Sequence, residues 1–425
     1  MQAQGQNERL YGLDWLRIGA FALLILYHIG MFFVPWEWHV KSAQPQEWLE
    51  LPMMAINPWR LALLFVVSGF ASRILLGKMQ GAGAFVRGRS SRLLLPLLAG
   101  MVLFVAPQPW AELRASGAID EDFWTFWTKD YFRFGDIDGV VLPTWNHLWF
   151  VAYLWVYTVA LALIALLPGS GRHQIQLVFD RLFSGRGLIW LPFLILFAAR
   201  ITLFPIFDET HALLDDLYAH TVYGFAFAFG VGLAKSQPAW AAIGAQWRLA
   251  LALGAAAFAL IVFVDMTIPG ESGELELFVR RLARSLQAWG LIIGLLGFAR
   301  AHLNFDGPAR RYLTEAIFPY YIAHQTIIVL VGFALAPLGL GASTEFVVIL
   351  AATIAGCAIT YEIGRRVGWL RPLIGLRLSG KAVTGVNPVT SIRPDFVRRS
   401  AGSRALYALF RRRFTPASLR SGARD

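Results

Sequence analysis

Hydrophobic positions in this chain run in long unbroken stretches separated by short polar segments. Ten stretches, at 13 to 35, 57 to 77, 93 to 107, 147 to 167, 188 to 207, 217 to 234, 248 to 268, 282 to 299, 316 to 337 and 345 to 366, approach the roughly 17 to 25 residues that a helix needs to cross a bilayer. The pattern predicts an all-α polytopic membrane protein with about ten transmembrane helices. The third stretch is the shortest and the sixth carries several glycines, so a short third span and a glycine-broken sixth are expected.

The polar segments alternate in charge. Basic segments carry Arg73, Lys78, Arg87, Arg89 and Arg92, then Arg172, Arg181 and Arg186, then Arg300, Arg310 and Arg311; the segments between them carry Glu112, Asp120, Glu121 and Asp122, then Asp208, Glu209, Asp215 and Asp216. Cytoplasmic loops are enriched in Lys and Arg. An even number of spans with both termini cytoplasmic fits this alternation. The first apolar run is of span length and is followed by no small-residue cleavage site, so it is expected to stay as an anchor.

Composition adds two exclusions. At 57% hydrophobic residues over 425 positions, the chain lies above the 45 to 50% apolar usage of ordinary soluble domains. The single cysteine, Cys357, excludes an intramolecular disulfide or a cysteine metal site. Charge marks a second region. From Arg371 onward twelve Lys and Arg face only Asp395 and Asp425, which accounts for ten of the eleven net positive charges. Residues 1–370 therefore read as a transmembrane domain and 371–425 as a basic cytoplasmic tail attracted to anionic lipid. Its 396 to 414 segment suits a surface helix with Leu406, Leu409 and Phe410 towards lipid, and a nucleic-acid role is not expected.

Ionisable groups inside apolar runs are costly and mark pathways or reaction centres. Arg17 and His28 lie eleven positions apart on the first run, on the order of 16 Å along a helix axis. Asp14 is three residues before Arg17, hence on the same face, where it either pairs with Arg17 or steers it towards a site. His39, His147 and His324 also fall at outer halves or ends of apolar runs. Imidazole is the natural general base at neutral pH, and four such rings in one layer suggest a catalytic cavity. No HExxH or related spacing occurs, so no metal site is expected. Arg89 and Arg92, three apart just before an apolar run, suit phosphate recognition as well as topology. The segment 108 to 146 holds Trp110, Trp124, Phe126, Trp127, Tyr131, Phe132 and Trp145 among acidic residues, a composition that fits either sugar stacking or an interfacial aromatic belt.

These residues, in this order, resemble the acyltransferase-3 family of membrane-bound O-acyltransferases across positions 9 to 366. The resemblance is carried by Arg17 with His28, by Ser68, Gly69 and Phe70, by the Arg89-x-x-Arg92 pair, by His147 to Phe150, and by PYYIAHQ with His324. WHVKSA after the first apolar run and the His324-Gln325 pair are similar to a branch thought to succinylate periplasmic glucans from cytoplasmic succinyl-CoA. The resemblance implies a bacterial inner-membrane enzyme with no tightly bound cofactor, using acyl-CoA as donor and a glucan or other glycan as acceptor, in company with glucan synthase components. It implies His28, His147 and His324 as catalytic residues, and Arg17, Arg89, Arg92 and Ser68 for the donor. Asp14, Trp38, His39 and Trp145 fall to the acceptor. A secondary transporter or flippase would also need buried charge, but the inverted repeats with matching broken helices common in that class are not found in the sequence.

Overall fold

The structure, a computed structural model, describes residues 10–267 and 273–378. Most of the basic tail, including the 396 to 414 segment, lies outside the described residues.

The long helices are α1 (Tyr11–Phe33), α2 (Glu50–Leu76), α3 (Ala82–Gly100), α4 (Pro107–Ser116), α5 (Phe123–Lys129), α6 (Trp149–Ala165), α7 (Gly169–Phe183), α8 (Gly187–Thr202), α9 (Leu217–Leu233), α10 (Gln237–Thr267), α11 (Glu274–His302), α12 (Pro308–Leu335) and α13 (Ala342–Arg366). Eight helical segments among the described residues are long and apolar enough to cross a membrane. Helices α7 and α8 meet at 98° and qualify together as a ninth, and α9 is a shorter apolar helix. The chain is thus an all-α, multi-pass membrane protein. Each of the ten apolar runs in the sequence falls on a helix of this set. A single hairpin, β1 (Gly135–Ile137) and β2 (Val140–Leu142), turns through Asp138 and Gly139, both at positive φ; such a turn matches strand twist and favours Asp-Gly.

Two expectations about the spans are corrected. The third span is not short, because α3 continues through a π-helical turn at Met101–Val105 into α4, giving one segment from Ala82 to Ser116. Pro107 and Pro109 cannot donate to the preceding turn. The carbonyls of Met101, Val102 and Phe104 instead accept from Tyr131, Trp127 and Thr326. The sixth span is not broken either. Gly224, Gly230 and Gly232 lie inside a continuous α9, where small residues let helix backbones approach closely. A Cβ at Gly230 would collide with the Val66 carbonyl oxygen of α2, and one at Gly69 with the Phe227 carbonyl of α9. The same device serves α10 against α11, where a Cβ at Gly290 would sit 2.8 Å from the Ala250 carbonyl oxygen.

Proline also opens α2. With no N–H at Pro58, the Met54 carbonyl loses its helical donor, and the buried Gln287 amide of α11 donates to it at 3.2 Å and to Ala55 at 3.1 Å. Beyond α13, residues up to Leu378 return to the bundle. Ile374 and Leu376 are buried in its main core, and Arg371 donates to the Arg365 carbonyl at 2.6 Å.

The α2–α9 contact gives a direct stability test. Gly230→Ala forces a methyl group into backbone and is expected to cost about 1–3 kcal/mol, lowering the thermal midpoint in detergent. Gly19, whose Cβ would meet nothing within 4 Å, should accept alanine without loss. An unchanged midpoint for Gly230→Ala would contradict this packing.

Candidate active site

Three of the four layered histidines come together where α1, α12 and the turn before α6 meet. His28 on α1 and His324 on α12 stack with ring centroids 5.0 Å apart, and His147 meets His324 edge-on at 5.1 Å. His324 is fully buried and His147 nearly so, whereas His28 is half-buried.

Hydrogen bonding orders the protons on these rings. His324 Nδ1 lies 2.7 Å from the Tyr321 backbone carbonyl, which only accepts, so Nδ1 carries the proton. In the neutral ring Nε2 of His324 is then an acceptor. His28 Nδ1 lies 2.8 Å from it and donates. The remaining His28 nitrogen, Nε2, is left with a free lone pair, and no group among the described residues bonds it. A base poised in this way takes a proton at Nε2 while its other nitrogen stays anchored. His147 is ordered differently. Its Nε2 donates to the Ile322 carbonyl at 3.2 Å, its own carbonyl accepts from Tyr321, and Nδ1 is a buried acceptor with no partner.

His39 belongs to an adjoining polar network. Its Nδ1 lies 2.5 Å from Glu112 Oε2, and the Gln325 amide donates to its Nε2 at 3.0 Å. Gln325 also donates to Gln108 Oε1 at 3.1 Å, which accepts from Asn146 at 2.9 Å, while Gln108 donates to Thr326 at 2.7 Å. Consecutive residues of α12, His324 and Gln325, therefore tie the two histidine systems together. The loop carrying His39 is fixed from both sides. Lys41 donates to the carbonyls of Met31, Val34 and Trp36, capping the C-terminus of α1, and Ser42 donates to the buried Glu345 of α13 at 2.6 Å. Cations at a helix C-terminus also complement its dipole.

The remaining sequence candidates divide by position. Arg17 donates to the Thr314 carbonyl at 3.2 Å, near the end of α1 opposite His28. Asp14 accepts from the buried Arg310 at 2.6 Å, and Arg310 also bonds Asp306. Arg311 and Arg310 together hold the Asp306 carboxyl well below its ordinary range. Arg89 is half-buried and Arg92 exposed on the first turns of α3, and neither makes a hydrogen bond or ion pair among the described residues. Ser68 is half-buried on α2, with no hydrogen bond among the described residues. Trp38 lies beside His39 at 5.4 Å between ring centroids, and Trp145 donates to the His211 carbonyl at 3.1 Å.

A profile of the family described as "Acyltransferase domain" matches residues 10–362. The chain belongs to the acyltransferase-3 family. Among its curated relatives, Glucans biosynthesis protein C of Escherichia coli strain 536 is 24% identical over 388 residues, covering 88% of this chain and 96% of that protein. The protein of the same name from Escherichia coli strain HS is 24% identical over 386 residues, with the same coverage. No solved structure matches the chain. Membership makes this protein a membrane acyltransferase. Of the residues that carried the family resemblance in sequence, the three histidines His28, His147 and His324 converge in space.

The sequence reading passed over Glu112 as a loop charge and did not single out Gln108, Asn146 or Arg60. Gln108 did carry a signal, as an amide between two prolines in an apolar run. The aromatic segment 108 to 146 is mostly structural: Phe126 and Tyr131 are buried, and Trp110 and Trp127 donate to the backbone carbonyls of Glu121 and Val102. Trp124 and Phe132 remain exposed.

The proton order can be read directly. Histidine-selective 15N spectra of the detergent-solubilised protein should show His28 Nε2 as an unprotonated imine nitrogen and Nδ1 as the bonded N–H. His324→Phe should remove the signature of that hydrogen bond. A His28 ring protonated at Nε2 and bare at Nδ1 would contradict the arrangement.

Proposed function

We propose that this acyltransferase moves an acyl group, succinyl, from cytoplasmic acyl-CoA to a hydroxyl of a periplasmic glucan, at the bacterial inner membrane. The observation that carries the reading is the free Nε2 of His28, held in place by His324 and the Tyr321 carbonyl. The donor phosphates dock against Arg17, Arg89 and Arg92 at the opposite end of the helices, near Ser68 and Asp14, and the pantetheine arm reaches inward. That span of about 16 Å between Arg17 and His28 is one that an extended pantetheine can bridge.

At the deep end the glucan hydroxyl gives its proton to His28 Nε2 as its oxygen attacks the thioester carbonyl. The tetrahedral intermediate collapses with cleavage of the C–S bond, and the proton passes to the departing thiolate. The products are the glucan ester and free CoA. His324 orients His28 and stabilises the imidazolium by accepting its Nδ1–H. His147, with a bare buried Nδ1 beside His324, positions the acceptor hydroxyl. His39, Trp38 and Trp145 form the periplasmic side, where the glucan enters. The relatives named Glucans biosynthesis protein C support a glucan acceptor, and glucan synthase components are then the expected partners. The charge alternation supports cytoplasmic termini.

Purified protein in lipid, supplied with succinyl-CoA and a short β-glucan, tests this. His28→Ala should lower turnover by about 100- to 10,000-fold, the range for loss of a general base, with unchanged folding and KM for the donor. Arg89→Ala and Arg92→Ala should each weaken binding of a CoA analogue by an amount matching about 1.5–3 kcal/mol and leave turnover at saturation largely intact. Activity of His28→Ala within threefold of the parent would overturn the base role, and unchanged CoA affinity in both arginine variants would overturn the docking site.

A further inference from the structure

A second charge lies close to the histidines and takes no part in the steps above. Arg60, on α2 just past the Pro58 break, is 2% exposed. Its Nε and Nη1 are buried without a hydrogen-bond partner, and no carboxylate among the described residues pairs with it. Among the described residues its specific contact is with an aromatic face: the guanidinium carbon sits 4.0 Å from the centre of the Tyr27 ring. Tyr27 precedes His28 in the chain, and their ring centroids are 6.1 Å apart.

Such a cation is expensive. A buried guanidinium without a counter-ion costs several kcal/mol, and one desolvated cation–π contact returns about 2 kcal/mol or more, which offsets only part of that cost. The nearby carboxylate, Glu209, is already engaged by the Tyr223 hydroxyl at 2.6 Å and by His211 at 3.4 Å. Arg284, on α11, donates to the Met54 sulfur and adds positive rather than negative charge. The neighbourhood of Arg60 is therefore short of one anion, and a ligand has to bring it.

Resting on the acyl-transfer reading above, we infer that Arg60 is the specificity residue for the acyl group: its guanidinium receives the free carboxylate of a short dicarboxylic acyl chain whose thioester carbonyl lies at His28. The geometry allows this. Arg60 Cζ is no farther than about 10 Å from the centre of the His28 ring, the limit set by their common neighbour Tyr27. A four-carbon diacid measures about 4 Å between its terminal carbons, and a charge-assisted contact at one end with a near-attack distance at the other covers the rest. Guanidinium suits the task because it binds a carboxylate in bidentate fashion and stays charged when buried. An uncharged acyl chain would leave the guanidinium unpaired, and this would select against it.

The test compares succinyl-CoA with butyryl-CoA, which has the same number of carbons and no carboxylate, in the purified protein with a β-glucan acceptor. The parent should prefer succinyl-CoA in kcat/KM by at least tenfold. Arg60→Gln should lower kcat/KM for succinyl-CoA by about 10- to 150-fold, the equivalent of one charge-assisted contact, and leave butyryl transfer unchanged or faster. Arg60→Lys should recover part of the succinyl activity. Equal losses with both donors would overturn the subsite and leave acyl transfer standing, as would a parent enzyme indifferent to the carboxylate. No transfer from either donor by the parent would overturn the acyl-transfer reading and the subsite with it. If Arg60→Gln fails to fold, the parent decides: free succinate should compete with succinyl-CoA at concentrations where butyrate does not, and equal competition overturns the proposal.

Discussion

The hydrogen bond from His28 Nδ1 to His324 Nε2 joins α1 to α12 across 296 positions of sequence. In an apolar bundle an imidazole must find partners, because an unsatisfied polar group in hydrocarbon costs several kcal/mol. Here the partner is a second imidazole, itself fixed by a main-chain carbonyl one turn away. That choice leaves Nε2 as the His28 nitrogen without a partner among the described residues. It also makes α12 a support for the pair, since Tyr321, Ile322, His324, Gln325 and Thr326 all bond outward from its middle.

Around this pair the bundle separates two jobs. At one end, the buried Arg310 pairs with both Asp14 and Asp306 and so pins α1 to the start of α12. Arg89 and Arg92 make no hydrogen bond or ion pair among the described residues, which suits a role in binding a charged ligand. At the other end, Glu112, His39, Gln325, Gln108 and Asn146 satisfy one another. A network in which each member has its partner rigidifies its surroundings, and this one adjoins the histidine pair through Gln325, the residue after His324. Helix contacts between the two ends rely on small residues. At Gly69 and Gly230 two backbones touch without side chains between them.

Much of this was legible in the sequence because hydrocarbon imposes simple rules. Each of the ten apolar runs falls on a helix, though among the described residues eight helical segments are long and apolar enough to cross a membrane, or nine with the bent α7–α8 pair, and polar atoms inside those runs pointed to His28, His147 and His324. Helix lengths were underestimated where charged or polar residues continue a helix past the hydrocarbon, as at Ala82 to Ser90 and Gln237 to Trp247. The π turn and two prolines also concealed the join of α3 and α4. What could not be read were the pairings. Glu112 with His39 and Gln108 with Gln325 are set by packing between segments 73 and 217 residues apart, and neutral amides leave little mark on a hydropathy pattern. Tryptophans in the segment 108 to 146 suggested either a sugar platform or an interfacial belt, yet Trp110 and Trp127 use their N–H groups to hold backbone carbonyls. Composition could not separate those roles.

The central claim is that one chain carries an acyl group between two compartments. Proteoliposomes loaded with radiolabelled succinyl-CoA, sealed and given β-glucan only on the outside, measure this directly. The account predicts labelled glucan outside, free CoA retained inside, and no product with the His28→Ala protein. Product that forms only when donor and acceptor share a compartment would contradict it.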